Sequence, residues 1–229
     1  MKLLPEQIAA TLSTRVVQGV YQPGERLIEA ALSAEFGVSH GPIRDALRIL
    51  QASGLVTINP YRGAQITEYS AQEVRELYQV RAALVSIRAK WIAEDPQRSH
   101  ILGQVAAPIA RLPALADDDA EAEAFVAASF AVNNLLTDSL PNRWLRTTIQ
   151  AITLQTSRYS RLALLANRER RQESAHLWRL LYEAMTSGDG DLAESIAATL
   201  SLTARDAAIR HLEQNETRRL KIVGGRRPS

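Results

Sequence analysis

The chain has 229 residues, enough for one large domain or two modest domains, each with its own hydrophobic core. It contains no cysteine, which excludes a disulfide scaffold and a thiolate metal site. The formal net charge is only +2, and residues 1–69 balance six basic against six acidic residues, so any contact with nucleic acid must depend on where the charges lie.

The first 69 residues alternate between helical and β-like patterns. Apolar residues recur at every fourth position after Pro5, which indicates a helix. Gly37 separates two further segments with a helical pattern. The predicted elements are a helix over 5–19, a minimal strand at 27–28, a helix over 29–36, a helix from about 40 to 52, and a hairpin of 55–58 and 64–67. This order is typical of a winged helix-turn-helix.

The third predicted helix has one apolar face and one free face. Its stripe consists of Ile43, Ala46, Leu47 and Leu50. Ser39 is the predicted N-cap of this helix. Because the stripe docks the helix, the opposite face and the N-terminus remain free to enter a DNA major groove. Arg44 and Arg48 lie off the stripe and can reach guanine edges or phosphates.

Strand patterns end at residue 70. The predicted helices that follow span 71–94, 98–112, 119–138, 142–165, 169–187 and 190–215. We expect the acidic run 117–119 to be a solvated helix N-terminus. The fold class is therefore mainly α: a winged helix-turn-helix over 1–69, an all-α helical bundle over 70–216, and a basic, disordered tail over 217–229.

Two groups of motifs resemble a known family. The segment Phe36-Gly37-Val38-Ser39-x-x-Pro42-Ile43-Arg44-Asp45-Ala46-Leu47, with Gly54-Leu55-Val56 and Arg62-Gly63-Ala64, resembles the GntR superfamily of bacterial transcriptional regulators. The segments Glu76-Leu77-Tyr78-x-Val80-Arg81-Ala82-Ala83-Leu84 and Ala184-Met185-x-x-Gly188-Asp189 are similar to its FadR-like branch, which has a helical ligand-sensing domain of the FCD type. The resemblance covers about residues 5–215. It implies a ligand-responsive homodimer that binds a two-fold double-stranded DNA operator.

The resemblance also implies which residues contact DNA. With Arg48 from the helix pattern, the predicted set is Ser39, His40, Gly41, Arg44, Arg48, Arg62 and Gly63. The family usually has Ser-Arg-Thr where this chain has Ser39-His40-Gly41, so we expect a different operator or a lower affinity. Each charged member could instead be an ordinary solvated side chain. For Arg48 the sequence favours neither DNA contact nor a solvated side chain.

An arginine on an apolar stripe indicates an anionic partner in the sensing domain. Arg81 shares the inward face of the 71–94 helix with Val74 and Leu84, and Arg88 follows one heptad later. An unpaired buried charge is costly, so each guanidinium needs a protein carboxylate or a carboxylate or phosphate on a ligand. Both alternatives remain open at this stage.

Many members of this branch bind a metal through one aspartate and three histidines. Aligning the flanking residues places those four positions at Ser129, Asn133, Trp178 and Leu200, which cannot supply a strong ligand set. His176 lies two positions away and points to another helix face. We therefore expect no metal and no cofactor. The alternative for Trp178 and Leu200 is ordinary core packing.

The predicted effector is a small organic molecule with an anionic group. Its site consists of Arg81, Ser129, Asn133, Trp178 and Tyr182. In this site Ser129 and Asn133 hydrogen-bond the ligand, while Trp178 covers its apolar part.

Other functional classes have little support in the sequence. The chain lacks nucleophile-elbow, zincin and phosphate-loop motifs, and its four histidines are scattered, so we expect no enzymatic activity. No apolar run suits a membrane span, and we expect a cytoplasmic protein. The remaining alternative is a helical protein-interaction module with a weakened DNA-binding domain.

Overall fold

The computed structural model describes residues 4–60 and 62–224. The chain divides into two compact units, Met1–Ser70 and Ala71–Ser229. The described residues form nine α-helices and three short strands, and all of the strands belong to the first unit. The predicted class, a winged helix-turn-helix followed by a helical domain, is confirmed.

The first unit is built around three helices and a small sheet. Its elements are α1 (Leu4–Val17), β1 (Arg26–Leu27), α2 (Glu29–Phe36), α3 (His40–Ala52), β2 (Val56–Asn59) and β3 (Gly63–Ile66). The strands are antiparallel in the order β1-β3-β2, so the predicted hairpin gains a third strand at its edge. Because Asn59 pairs with Gly63, the tip of the β2–β3 hairpin lies between these two residues.

Burial of one face fixes α3 in the first unit. Its stripe of Ile43, Ala46, Leu47 and Leu50 is buried as predicted, and α3 packs against α1 and α2. Burying four apolar side chains stabilises this position by about 1.5–3 kcal/mol for each large residue. The opposite face of α3 remains in contact with solvent.

The turn between α2 and α3 depends on a left-handed residue. Gly37 has φ 65°, and its N–H donates to the carbonyl of Ser33. Ser39 is the N-cap residue with an extended backbone, as predicted, but its hydroxyl makes no capping hydrogen bond. The backbone N–H groups at the start of α3 are therefore not satisfied by this side chain.

The second unit is a helical bundle. Its helices are α4 (Ala71–Glu94), α5 (Arg98–Asp117), α6 (Ala122–Asp138), α7 (Arg143–Ala166), α8 (Arg168–Ser187) and α9 (Gly190–Gly224). The helix α4 packs along α9 and also contacts α7 and α8, whereas α5 packs between α6 and α8. Within the described part of the chain, none of the helices combines the length and the apolar content that crossing a bilayer requires.

The ends of α5 and α9 differ most from the predicted ones. The helix α5 continues past Pro113 to Asp117, because Leu112 and Ala116 are buried and their packing offsets the cost of proline within a helix. The helix α9 continues to Gly224, beyond the predicted end at 215. The last part of the predicted tail, residues 225–229, lies outside the described residues.

The acidic run 117–119 lies between α5 and α6, and all three of its residues are exposed. Asp117 is the last residue of α5, and Asp118 caps a 3-10 turn over Asp119–Glu121 by accepting from the N–H of Ala120 at 2.9 Å. This turn leads directly into α6. Asp119 also forms an ion pair with Arg171, whose side chain is almost completely buried, and the sequence analysis did not anticipate this partner.

The inward face of α4 is rotated by about one residue from its predicted position. Tyr78, Val85 and Arg88 are buried, whereas the predicted stripe residues Leu77 and Leu84 are only half-buried. Arg81 and Arg88 share one face of α4, since they are one heptad apart. Arg88 is the deeper of the two, with 2% of its surface exposed, whereas Arg81 is half-buried.

We predict that Gly37→Ala destabilises the helix-turn-helix by about 1–2 kcal/mol, because alanine at a left-handed φ is strained even where space is available. No atom lies within 4 Å of the place where its Cβ would be, so the loss would come from the backbone alone. Hydrogen exchange of peptides covering α2 and α3 measures the effect, expected as a roughly five- to thirtyfold loss of protection. The matched control is Gly41→Ala, which also has open space but no positive φ, and equal effects of the two substitutions would contradict the prediction.

Candidate DNA interface and effector site

Every residue predicted to contact DNA is exposed in the first unit. Ser39, His40 and Gly41 form the start of α3, and Arg44 and Arg48 follow on its solvent face. At the hairpin tip lie Arg62 and Gly63, and Gly63 has φ 75°, which favours glycine there. The structure therefore leaves both groups of side chains open to a partner of the size of a DNA duplex.

Glu29 holds the central arginine of this surface. Its Oε2 accepts from Arg44 Nε at 2.8 Å and lies 4.0 Å from His40 Nδ1. Neither Nη group of Arg44 has a partner among the described residues. The guanidinium is thus oriented through Nε while its two Nη groups remain available for the bidentate contact that a guanine edge accepts.

The sequence analysis missed Glu29. It treated Arg44 as either a DNA contact or a solvated side chain, whereas Glu29 starts α2 and precedes Arg44 by 15 residues. The turn at Gly37 brings the two side chains together. A search for acidic residues at the start of the first motif helix would have found this candidate.

Arg48 is held by a longer and more exposed ion pair than Arg44. It pairs with Asp45 at 3.3 Å, and its side chain is 74% exposed. An exposed pair of this kind contributes little free energy, so Arg48 can leave Asp45 at small cost. Both interpretations of Arg48, DNA contact and solvated ion pair, are compatible with this geometry.

In the second unit, Arg88 is a buried cation among neutral groups. Its Nη1 donates to the carbonyl and the Oδ1 of Asn133 at 3.1 and 3.0 Å, and to Thr137 Oγ1 at 2.7 Å. Its Nε is buried without a hydrogen-bond partner in the chain. Burial, together with the nearby charge of Arg81, lowers the pKa of Arg88 to about 9.

Arg81 is in a similar situation. Its Nη1 donates to Ser201 Oγ of α9 at 3.2 Å, and its guanidinium lies 5.7 Å from the ring centre of Tyr78. Its Nε is also buried without a partner, and burial lowers its pKa. Of the two alternatives left open for Arg81, a protein carboxylate is not found among the described residues.

Other buried arginines of the bundle do have carboxylate partners. Arg170 pairs with Glu173 at 3.0 Å, and Arg171 pairs with Asp119. Arg81 and Arg88 form no ion pair within the part of the chain that the structure describes. The bundle thus compensates some of its buried cations internally and leaves these two without an anion.

Ser129 and Asn133 lie one turn apart on the buried face of α6, as predicted. The Ser129 hydroxyl is buried without a hydrogen-bond partner, whereas Asn133 already accepts from Arg88. Trp178 belongs to the hydrophobic core, with 5% of its surface exposed, and Tyr182 and Leu200 pack against that core. The packing agrees with the core interpretation of Trp178 and Leu200, and ligand contact by Trp178 or Tyr182 stays a prediction.

The residues at the four family metal positions do not fit a metal ion. A hydroxyl and an amide are weak ligands, and an indole and a leucine offer none. The amide of Asn133 already contacts a guanidinium, which would repel a metal cation. Among the described residues, no group of three or more His, Cys, Asp or Glu side chains is placed to hold a metal.

Comparison with protein families decides the identity of the two units. The model described as "Bacterial regulatory proteins, gntR family" matches residues 4–66, and the FCD domain model matches residues 76–214. The chain is a GntR-family bacterial regulatory protein with an FCD domain. The resemblance inferred from the motifs is thereby confirmed.

Named relatives of this GntR-family protein are transcriptional regulators. It is 26% identical over 216 residues to the galactonate operon transcriptional repressor of Escherichia coli K12, covering 85% of this chain and 92% of the relative. It is 32% identical over 90 residues to the uncharacterized HTH-type regulator YdhC of Bacillus subtilis, covering 39% and 40% of the two chains. The chain thus spans less than half the length of that second relative.

Solved structures share the fold of the GntR-family protein. E. coli McbR/YncC matches with a TM-score of 0.76 at 18% identity, covering 93% of this chain and all of that one. A GntR regulator from Rhodococcus sp. RHA1 matches with a TM-score of 0.68 at 19% identity, covering 90% and 97%. Identities this low support the fold alone.

We predict that Arg44→Ala weakens specific DNA binding by about 1–3 kcal/mol, because a base contact is lost. Folding should be unchanged, since the Arg44 side chain is 62% exposed and off the buried stripe. Fluorescence anisotropy on a DNA site that the wild-type protein selects from a random library measures the affinity at two salt concentrations. The control is Arg111→Ala on the exposed side of α5.

The salt dependence identifies the kind of contact that Arg44 makes. Loss of a base contact leaves the slope of log affinity against log salt unchanged, whereas loss of a phosphate contact reduces it by about one. An Arg44→Ala protein that binds the selected site as tightly as wild type would remove Arg44 from the interface.

Proposed function

We propose that this protein is a ligand-responsive transcriptional regulator that binds a two-fold DNA operator as a homodimer and has no catalytic activity. The observation that carries the proposal is the exposed N-terminal half of α3, where the predicted DNA-contacting side chains lie on a helix fixed by its buried face. Its place of action is the cytoplasm, where bacterial DNA lies.

An apolar stripe on α4 supports a homodimer. Val80, Ile87 and Trp91 are exposed by 53%, 37% and 44%, and their spacing of seven and four residues places them on one helix face. Contiguous exposed apolar side chains mark interaction surfaces. One small winged domain makes few base contacts, so a second copy is also needed for tight specific binding.

The effector is a small carboxylate, held by Arg81 with Ser129, Asn133, Trp178 and Tyr182. Two buried guanidinium groups without carboxylates favour an anion, since a carboxylate matches the fork of an arginine. A relative that covers most of this chain is named for galactonate, a hydroxylated carboxylate. We therefore propose a sugar acid as the effector. Its binding alters the affinity for DNA because the ligand binds one conformational state of the protein more tightly than the other.

The alternative function is a helical interaction module whose DNA-binding domain has weakened. The pairing of Arg44 with Glu29 and the His40-Gly41 sequence favour it, because they reduce the positive charge offered to phosphates. The two functions differ in one measurable respect: only the regulator discriminates a selected DNA site from random DNA.

We predict that Trp91→Glu shifts the protein toward monomers and weakens operator binding, since a charge at the centre of an apolar interface costs about 2 kcal/mol or more. Sedimentation velocity at micromolar concentration measures the mass, and footprinting measures the operator, which should show two symmetric half-sites about one helical turn apart. The control is Gln104→Glu, which adds the same charge to an exposed position of α5.

Two results would contradict the proposal. A wild-type protein that is monomeric both with and without DNA would exclude the homodimer. Equal affinity for the selected site and for random DNA would instead favour the interaction module.

A further inference from the structure

Arg88 is almost completely buried in the helical unit, and it contacts a residue that the family resemblance places at a metal-ligand position. The family resemblance places Asn133 at the first histidine of the family's metal site, and its side-chain oxygen accepts from Arg88 Nη1 at 3.0 Å. Thr137, the next turn of α6, accepts from the same nitrogen at 2.7 Å and donates to the Asn133 carbonyl at 2.8 Å. The amide and the hydroxyl therefore hold a guanidinium beside the position of a metal ligand.

In the described part of the chain, no carboxylate compensates the guanidinium of Arg88. All the acceptors of Arg88 are neutral oxygens, whereas the equally buried Arg171 meets Asp119. A buried charge without a counter-ion destabilises the fold, so an unpaired arginine in a core calls for an anion or for another function. The lowered pKa of Arg88 has the same cause, since burial disfavours its charged form.

Unpaired polar groups accompany Arg88. The Nε of Arg88, the Nε of Arg81 and the hydroxyl of Ser129 are all buried without a hydrogen-bond partner among the described residues. Ser129 is one turn before Asn133 on α6, and the charge of Arg81 is close enough to influence Arg88. Two guanidinium groups and a hydroxyl therefore offer donors that the chain itself does not use.

We propose that Arg88 is a resident cation that replaces the family's metal ion and binds the carboxylate of the effector, which makes the sensor independent of metals. This inference rests on the proposed effector function and adds the residue and the charge that recognise the ligand. A guanidinium suits the task because its planar fork binds a carboxylate bidentately and stays charged without a bound ion. Arg88 keeps its hydrogen bonds from Nη1 to Asn133 and Thr137, and its remaining N–H groups donate to the carboxylate of the ligand.

The decisive variant is Asn133→Asp, which is nearly isosteric and places an internal carboxylate against Arg88. It should raise the Tm of the protein without ligand by about 3 °C, because it supplies the missing counter-ion. It should also abolish the response to carboxylates, since the new charge both occupies the guanidinium and repels the ligand. Arg88→Met removes the cation and should likewise abolish the response.

The experiment is thermal unfolding of the full chain in a buffer without phosphate or carboxylates. The probes are D-galactonate, L-lactate and citrate, with galactitol as an uncharged control and zinc chloride as the metal. We expect at least one carboxylate to raise the wild-type Tm with EDTA present, galactitol and zinc to have no effect, and elemental analysis to find no stoichiometric metal. Arg179→Met, on the exposed side of α8, is the control and should respond as wild type does.

Several outcomes overturn the inference. These are a carboxylate response that survives in Asn133→Asp or Arg88→Met, a response that EDTA abolishes, a wild-type protein that no carboxylate stabilises, or an Asn133→Asp protein that is less stable than wild type. If Arg88→Met fails to fold, Asn133→Asp still decides, because it keeps the guanidinium. Each variant is also assayed on the selected DNA site without ligand, and unchanged binding there keeps the proposed regulatory function intact if the inference fails.

Discussion

The cost of burying a guanidinium governs the helical unit. Water solvates this charge better than any protein interior, so each buried arginine must find oxygen atoms or lower the stability of the fold. Arg170 and Arg171 meet carboxylates, whereas Arg81 and Arg88 meet only neutral groups. The bundle therefore folds around a charge that it leaves uncompensated. A sensor differs from a structural bundle in this respect, because the free energy missing from the empty protein is available for binding.

Most of the fold could be predicted because its signals are local. The period of the apolar residues identified the helices, and the glycine at position 37 located the turn. The predicted end of α5 was wrong because distant packing outweighs local preference. Buried Leu112 and Ala116 carry α5 through Pro113, and the ion pair of Asp119 with the buried Arg171 likewise joins residues that are far apart in the sequence. Neither effect is visible within a short window of sequence.

The candidate DNA interface could likewise be predicted from local patterns, whereas the candidate effector site could be predicted only in part. The residues predicted to contact DNA lie on one exposed helix face and at the hairpin tip, so their positions followed from periodicity and from the family motif. The proposed effector site draws on several helices, and the depth of Arg81 and Arg88 depends on the helices packed against α4. Sequence reasoning therefore selected Arg81 and placed Arg88 second. It also missed Glu29, whose partner lies across a turn, since no local period relates two separate helices.

The ion pair between Glu29 and Arg44 has a consequence for how the protein searches a chromosome. Non-operator DNA attracts a protein mainly through phosphates, and this attraction grows with the number of unpaired cations on the binding face. Glu29 and Asp45 neutralise part of that face before any DNA arrives. In the proposed regulator, this pairing shortens the dwell time on DNA sites other than the operator, while the Nη groups of Arg44 stay available for a matching guanine. The acidic residue beside α3 then lowers indiscriminate affinity for DNA.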